Sequence, residues 1–336
     1  MSDEQTIGDL LAEQVDRLLG REVTRERLIA AEDGSFDQGL WQALEELGIT
    51  LALVPEDAEP ALRAAGSWAA PVPLAETLVA GWALGLAGID NPGGPLAVSD
   101  LIFQLDHQGR LSGEDGLVPW IGHCSHLVAL AERGGERFIA LIPGDDLQLT
   151  AVETLARIPS ARVVVSGFAP AALAPAPFAG ELGLKPALAA ARAVQMAGIL
   201  DRLLALCVDY GNTREQFGKP IGKFQAIQHL IADLAAQAAA AQVAGLYACR
   251  QLDRGNGEHG AAVAKARAGQ AASRGAESAH QVFGAIGFTD EHILHYYSRR
   301  LWQWRDEAGS EHSWAERLGR QLLAAPGMQL WPAIAG

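Results

Sequence analysis

Arg214-Glu-Gln-Phe-Gly-Lys-Pro-Ile-Gly-Lys-Phe-Gln225 joins two long helical patterns. One runs from about Pro186 to Tyr210 upstream, and a second runs from about Lys223 to Leu252 before the Gly255-Asn-Gly257 stop. A third covers about Glu258 to Val282, a fourth begins after Thr289, and a short last one ends near Leu323. Helices this long with connections this short pack as antiparallel neighbours. Residues 181–336 therefore read as an antiparallel helical bundle, with the quoted stretch as its first connection.

Upstream of the bundle the periodicity changes. Residues 95–180 hold short β-type runs: Leu101-Ile-Phe-Gln-Leu, Leu117-Val-Pro-Trp-Ile, Leu127-Val-Ala-Leu, Phe138-Ile-Ala-Leu-Ile and Val163-Val-Val. Turn clusters such as Gly113-Glu-Asp-Gly116 and Gly134-Gly-Glu-Arg separate them, and no helix-length pattern intervenes. An antiparallel β domain is the expectation, as a barrel or sandwich. Residues 1–94 return to helical spacing, with Leu10, Leu11, Val15, Leu18 and Leu19 on one helix behind a Ser2/Gln5 capping box. Phe36, Leu40, Leu44 and Leu47 mark another that Gly48 stops, and a further one starts after Pro71-Val-Pro. The fold class is α+β, helical, then β, then bundle.

The 336 residues include 26 basic and 40 acidic side chains, a formal charge of −14, with no long Lys/Arg run. That balance argues against nucleic acid and anionic membrane as partners. Cys124, Cys207 and Cys249 are odd in number and widely spaced, which suits a reducing compartment, and the start of the sequence shows no basic and apolar leader. A cytoplasmic protein is expected. Charged residues interrupt the apolar runs, so no membrane span is expected either.

The zone order and several motifs resemble the flavin-dependent acyl-CoA dehydrogenases. Arg214 to Gln228 is similar to that family's R-x-Q-F-G-x-P-I-x-x-F-Q-x-x-Q element, and Gln281-Val-Phe-Gly-Ala-Ile-Gly-Phe288 to its Q-x-x-G-G-x-G-Y/F turn, with Ala285 for the second glycine. Trp41 to Gly48, through Val54-Pro-Glu, resembles the N-terminal helix and its exit. The resemblance implies FAD as cofactor, an acyl-CoA substrate, and bundle residues that serve a flavin bound mainly by the neighbouring subunit. Arg214 would then present a fork of donors to the pyrophosphate. Phe217, Ile221 and Phe224 would supply apolar contact, the Gln281 amide a hydrogen bond, and Gly284 and Gly287 room for close approach. Ser310 stands where the family has the threonine of E-G-T and joins the implied cofactor-binding set.

The catalytic glutamate is missing. Counting on from Gln281 places Arg299 at the family's conserved arginine and Ala308-Gly309-Ser310 at E-G-T, so alanine occupies the base position. Some relatives carry the base on the first bundle helix, about seven turns before the motif arginine, and that count lands near Leu188. No catalytic residue is therefore assigned, with Asp306, Glu307 and Glu311 as the candidate substitutes. The family's W-I-T/S-N strand reads Trp120-Ile-Gly-His here, with Gly122 in the hydroxyl position, and its T-E-P-x-x-G-S-D loop shrinks to Pro95-Leu-Ala-Val-Ser-Asp100.

These losses, together with the length and the Pro71-Val-Pro-Leu-Ala-Glu-Thr77 element, resemble the short subunit of paired acyl-CoA dehydrogenases of bacterial steroid side-chain oxidation. That implies a longer acyl-CoA dehydrogenase subunit as partner in an α2β2 assembly, with one flavin per pair and electron-transfer flavoprotein as acceptor. The rival readings are a homo-oligomeric dehydrogenase with a non-standard base and a non-enzymatic acyl-CoA dehydrogenase-like binding protein. His123-Cys-Ser-His126 does not read as a metal site, since His123 and His126 would face opposite ways on a strand and no second ligand pair follows. Val282 to Gly287 lacks the complete dinucleotide fingerprint and follows a helix. Trp302, Trp304 and Trp314 are candidates for a core, a partner interface or a substrate cavity.

Overall fold

Side chains in strand β3 alternate between two separate hydrophobic cores, and that division organises the molecule. In the computed structural model, which describes residues 7–51, 54–178, 180–324, 327 and 331, Leu127, Ala129 and Ala131 enter one core while Val128 and Leu130 enter the other. A strand buried on both faces needs no polar alternation, which explains the continuous apolar run Leu127 to Ala131. The Ser2/Gln5 capping box lies outside the described residues.

Five helices come first: α1 (Ile7–Glu22), α2 (Arg25–Glu32), α3 (Gln38–Glu46), α4 (Pro55–Ser67) and α5 (Leu74–Ala87). Side chains set two of their starts. Thr24 Oγ1 accepts from the Arg27 amide at 3.4 Å, and Asp37 Oδ1 accepts from the Leu40 amide at 2.9 Å. Seven strands follow: β1 (Leu96–Leu105), β2 (Leu111–Pro119), β3 (His126–Arg133), β4 (Glu136–Pro143), β5 (Gln148–Val152), β6 (Ser160–Phe168) and β7 (Ala172–Pro175).

They form one sheet in the order β5-β6-β2-β1-β3-β4-β7. The expected all-antiparallel arrangement needs correction, because β1 and β3 run parallel, with Leu96 opposite His126. The cause is local. β2 ends beside the start of β1, and residues 120–125 cross that end of β1 before β3 begins on its far side, held by the Ser125 amide on the Pro95 carbonyl at 3.1 Å. The other pairings of this sheet are antiparallel.

The chain then enters α6 (Lys185–Thr213), makes the hairpin β8 (Glu215–Gln216) and β9 (Lys219–Pro220), and continues as α7 (Gln225–Asp253), α8 (Gly257–Phe283), α9 (Leu294–Asp306) and α10 (Glu311–Ala324). By length and composition α7 could cross a membrane, which differs from the sequence expectation. It lies instead along α6 and α8, with Leu234, Ala238 and Ala241 in the first core.

α6 serves both cores, with Ala190, Ala193 and Met196 on one side and Ala187, Leu188 and Val194 on the other. Its approach to α4 is backbone to backbone. A Cβ on Gly66 would lie 2.1 Å from the Gln195 carbonyl oxygen, and one on Gly198 would lie 2.0 Å from that of Arg63. Only glycine allows this approach from both sides.

Candidate functional site

Arg214 caps the C-terminus of α6, with its amide on the Tyr210 carbonyl at 2.9 Å. Its carbonyl accepts the Ile221 amide at 2.8 Å, which closes the β8–β9 hairpin onto the helix end. Phe217 and Gly218 form the two-residue turn, both with positive φ, 51° and 77°. Two left-handed residues in sequence suit a type I′ hairpin turn, and glycine accepts the geometry without strain. Phenylalanine does not, and such strained residues gather at functional sites. Phe217 is nevertheless 91% exposed.

Around that tip, Phe224 meets the Phe217 ring edge-on at 6.2 Å, and the Lys219 ammonium sits 4.3 Å from the Phe224 centroid. Ile221 is buried, and Gln228 Nε2 donates to the Gly222 carbonyl at 3.0 Å to fix the turn. Arg214 is exposed, and among the described residues no carboxylate pairs with it, nor with Lys219 or Lys223. Three cations face solvent here against one carboxylate, Glu215.

The structure brings Gln281 to the same end of the bundle. Tyr210, one turn before Arg214, packs with a tilted ring against Phe283 of α8, centroids 4.6 Å apart, and Gln281 is exposed just before it. A short 3-10 turn, Gly284–Phe288, follows with Phe288 74% exposed. Gly284 is exposed at φ 61°, whereas Gly287 is buried, where a Cβ would come 2.9 Å from Leu294 Cδ2. Gly284 is thus open to a ligand, and Gly287 answers to packing within the chain.

Ser310 is not part of this group. Lys265 of α8 donates to the carbonyls of Arg305, Glu307 and Gly309 at 2.8, 2.7 and 2.6 Å, which places the segment before Ser310 about 27 Å along α8 from Phe283. That segment lines a cavity of about 350 Å³ together with Glu76, Asp100, Asp115, Lys185, Leu188 and Arg192. Leu188 and Ala308, the two positions at which the resemblance places a base, both line it.

In place of a free carboxylate, this end holds a closed polar network. The buried Arg192 pairs with Glu76 and, at 2.7 Å, with Glu307, and donates to Gln195 Oε1 at 2.7 Å. Burial opposes its charge, but the two carboxylates outweigh that and raise its pKa. Glu307 also accepts from Gln303 Nε2 at 2.6 Å, so this candidate substitute base is already engaged. Asp306 is exposed, and Glu311 lies 3.6 Å from Arg305. Burial pushes Lys265 down to about 7, while its three carbonyl partners call for all three ammonium protons. Asp115, buried and raised by desolvation against a 2.6 Å hydrogen bond from Ser99 Oγ, completes the lining.

Arg192 and Lys265 were not singled out from the sequence, and Glu76 only as one member of the Pro71–Thr77 element. The available signal was a lone charge inside an alanine-rich helical run, Ala191-Arg-Ala and Ala264-Lys-Ala. Such a charge must find partners once the helix is buried on all sides.

A second cleft, of about 730 Å³, opens at Gly122. The strand expected there ends at Pro119, because Trp120 turns left-handed at φ 62° and Ile121–His123 form a 3-10 turn. His123 consequently leaves the sheet and stacks on Phe36 at 5.4 Å, so the opposite-face argument for His123 and His126 does not apply. Asp33, Glu153 and Arg157 share the cleft, and no hydroxyl stands at Gly122.

Residues 187–323 match the family model described as acyl-CoA dehydrogenase, C-terminal domain. Acyl-CoA dehydrogenase IpdE2 of Mycobacterium tuberculosis is 29% identical over 313 residues, covering 89% of this chain and 90% of that protein. Among solved structures, the ChsE4-ChsE5 complex from Mycobacterium tuberculosis superposes with a TM-score of 0.85 at 23% identity, over 97% of this chain and 100% of the matched one. The Tcur3481-Tcur3483 steroid ACAD variant gives 0.83 at 25% identity, over 94% and 97%. PigA with FAD and proline gives 0.80 at 18% identity, over 96% and 99%.

Proposed function

Because the chain belongs to the acyl-CoA dehydrogenase family, we propose that it is the shorter subunit of a heteromeric, FAD-dependent acyl-CoA dehydrogenase. One observation carries this reading. The two ends of α6 are in opposite condition, an unpaired Arg214 at the bundle end that also carries Gln281, and baseless Leu188 and Ala308 in an ion-paired cavity at the other.

The donor set at the hairpin end fits FAD held by a neighbour. Arg214 offers a planar fork for the pyrophosphate, Lys219 and Lys223 add positive field, Gln281 provides an amide donor and acceptor, and the Phe217 ring excludes water. The Gly122 cleft offers less, since Asp33 and Glu153 offset Arg157 in its lining and no side chain stands at Gly122 to meet the ring. Acceptance of the β-hydride of an acyl-CoA thioester is the chemistry that FAD would supply when bound; the α-proton would go to a base this chain does not supply. The residues of this chain bind and orient, and the longer subunit does the proton transfer. Steroid-type acyl groups are the favoured substrates, supported by the match over 94% of this chain to the Tcur3481-Tcur3483 variant, which is described as a steroid ACAD. An α2β2 assembly in the cytoplasm, reoxidised by electron-transfer flavoprotein, completes the reading.

The test is purification alone and together with a candidate longer acyl-CoA dehydrogenase subunit, followed by flavin content and acyl-CoA oxidation. One flavin per pair and turnover only in the complex are expected. Replacing Arg214 by Ala should weaken flavin retention by about 1.5 to 3 kcal/mol, the scale of a charge-assisted hydrogen bond. An isolated chain that holds one flavin per subunit and turns over would overturn the assignment.

A further inference from the structure

Although α7 is apolar enough to cross a membrane, only a third of its most apolar stretch is buried within this chain. The uncovered face is a defined one. Ala236, Ala240, Val243 and Tyr247 recur at spacings of three and four residues, and with Leu318 and Leu322 of α10 they line a groove of about 750 Å³. Val243 is 71% exposed there. Besides Tyr247, the ionisable groups of the lining are His259 and Arg267, and Arg267 donates to Gln237 Oε1 at 2.5 Å. No carboxylate lines the groove, so it accepts an uncharged apolar segment and disfavours a basic one.

The chain itself carries such a segment. α10 ends at Ala324, two residues after Leu322, and the sequence beyond it, Met328-Gln-Leu-Trp-Pro-Ala-Ile334, holds no charged side chain. Trp331 is 73% exposed and does not line the groove of its own chain, and Leu323 is 88% exposed. An open apolar groove and an uncovered tryptophan are the two halves of one contact. Within a single chain they stay apart, and a second copy brings them together.

We propose that two copies of this chain associate by exchanging the segment around Trp331, each copy seating that indole in the α7–α10 groove of the other. Val243 and Leu322 cover the ring, and the two-fold exchange makes the contact twice and closes at a dimer. This accounts for a helix as apolar as α7 that is left mostly uncovered by its own chain. The inference deepens the α2β2 reading above, on which it rests for its place in the assembly: copies of this chain join the two flavin-bearing pairs.

Analytical ultracentrifugation of the full chain tests this. A dimer of twice 35.5 kDa is expected, and a monomer for a chain truncated after Ala324. Trp331→Ala should weaken self-association by roughly ten-fold or more, since an interface tryptophan is a common anchor and a two-fold dimer loses it twice. Val243→Glu, at a side chain already exposed, should do the same with an unchanged far-UV circular dichroism spectrum. A photo-crosslinker, p-benzoylphenylalanine, placed at Val243 in a mixture of unlabelled and 15N-labelled chains should join the Trp331 peptide of the other isotope. A full chain that is monomeric, a dimer that survives both truncation and Trp331→Ala, or crosslinks confined to one isotope or to another segment overturn the exchange. With the longer subunit present, truncation should give single pairs that keep one flavin each. An α2β2 complex that survives truncation overturns the exchange and leaves the flavin reading intact, whereas a dimer with the expected crosslink that forms no heteromer removes the functional reading and upholds the exchange.

Discussion

Leu188 on α6 and Ala308 after α9 line one cavity, although they lie far apart in the chain and on different helices of the bundle. Two separate positions for a base thus converge on one chamber, and neither carries a carboxylate. Ala308→Glu should therefore not create a dehydrogenase. The new carboxylate would stand beside Glu307 and Asp306 at a left-handed residue of φ 53°, and on the heteromeric reading it would face no flavin held by this chain. The expected result is no dye reduction with acyl-CoA and a lower thermal midpoint; turnover by the isolated variant would refute the reading.

Arg192 holds Glu76 and Glu307 together inside the chain. Arg192→Met leaves two buried carboxylates without their cation, a loss of about 3 to 5 kcal/mol. Urea denaturation of the isolated chain measures it. A change below about 1 kcal/mol, the scale of an exposed pair, would show that the network is not closed as described.

Lys265 makes stability depend on pH in a defined direction. Its pKa falls from 10.5 in the unfolded chain to about 7 in the fold, with burial as the largest cause. Between those values the unfolded chain binds the extra proton, so stability from this group rises as pH rises from about 7 toward 10.5. The stability difference between the native chain and Lys265→Met should shift in favour of the native chain over that window. A flat difference would place the Lys265 pKa at its ordinary value.

The glycine contact between α4 and α6 predicts a loss where helix propensity alone predicts a gain. Alanine exceeds glycine by about 1 kcal/mol inside a helix. Gly198→Ala nevertheless puts a methyl 2.0 Å from the Arg63 carbonyl oxygen, and overpacking of that kind costs about 1 to 3 kcal/mol or more. A lower urea midpoint is expected, and a higher one would mean that the helices can part.

Much of this was legible because long helices repeat their signal many times. The bundle helices read from periodicity as about 186–210, 223–252 and 258–282 are α6, α7 and α8, at Lys185–Thr213, Gln225–Asp253 and Gly257–Phe283. Short elements gave less warning. α4 hides a Pro60 within it, β5 and β7 are brief, and the parallel β1–β3 pairing depends on a crossing at residues 120–125 that no local pattern encodes. For the site, Arg214 and Gln281 were visible as motif residues, and the structure joins their ends of the bundle through Tyr210 and Phe283. Ser310 belongs elsewhere. Sequence spacing does not show which end of a long bundle a residue occupies.

α6 runs unbroken for 29 residues, a rod of about 43 Å with a different chemical assignment at each tip. A single helix of this length transmits orientation while insulating the tips from each other's substitutions. Substitutions at the Leu188 tip therefore need not disturb the Arg214 tip. On the heteromeric reading proposed above, that separation lets one tip keep a binding role while the other carries none in the reaction.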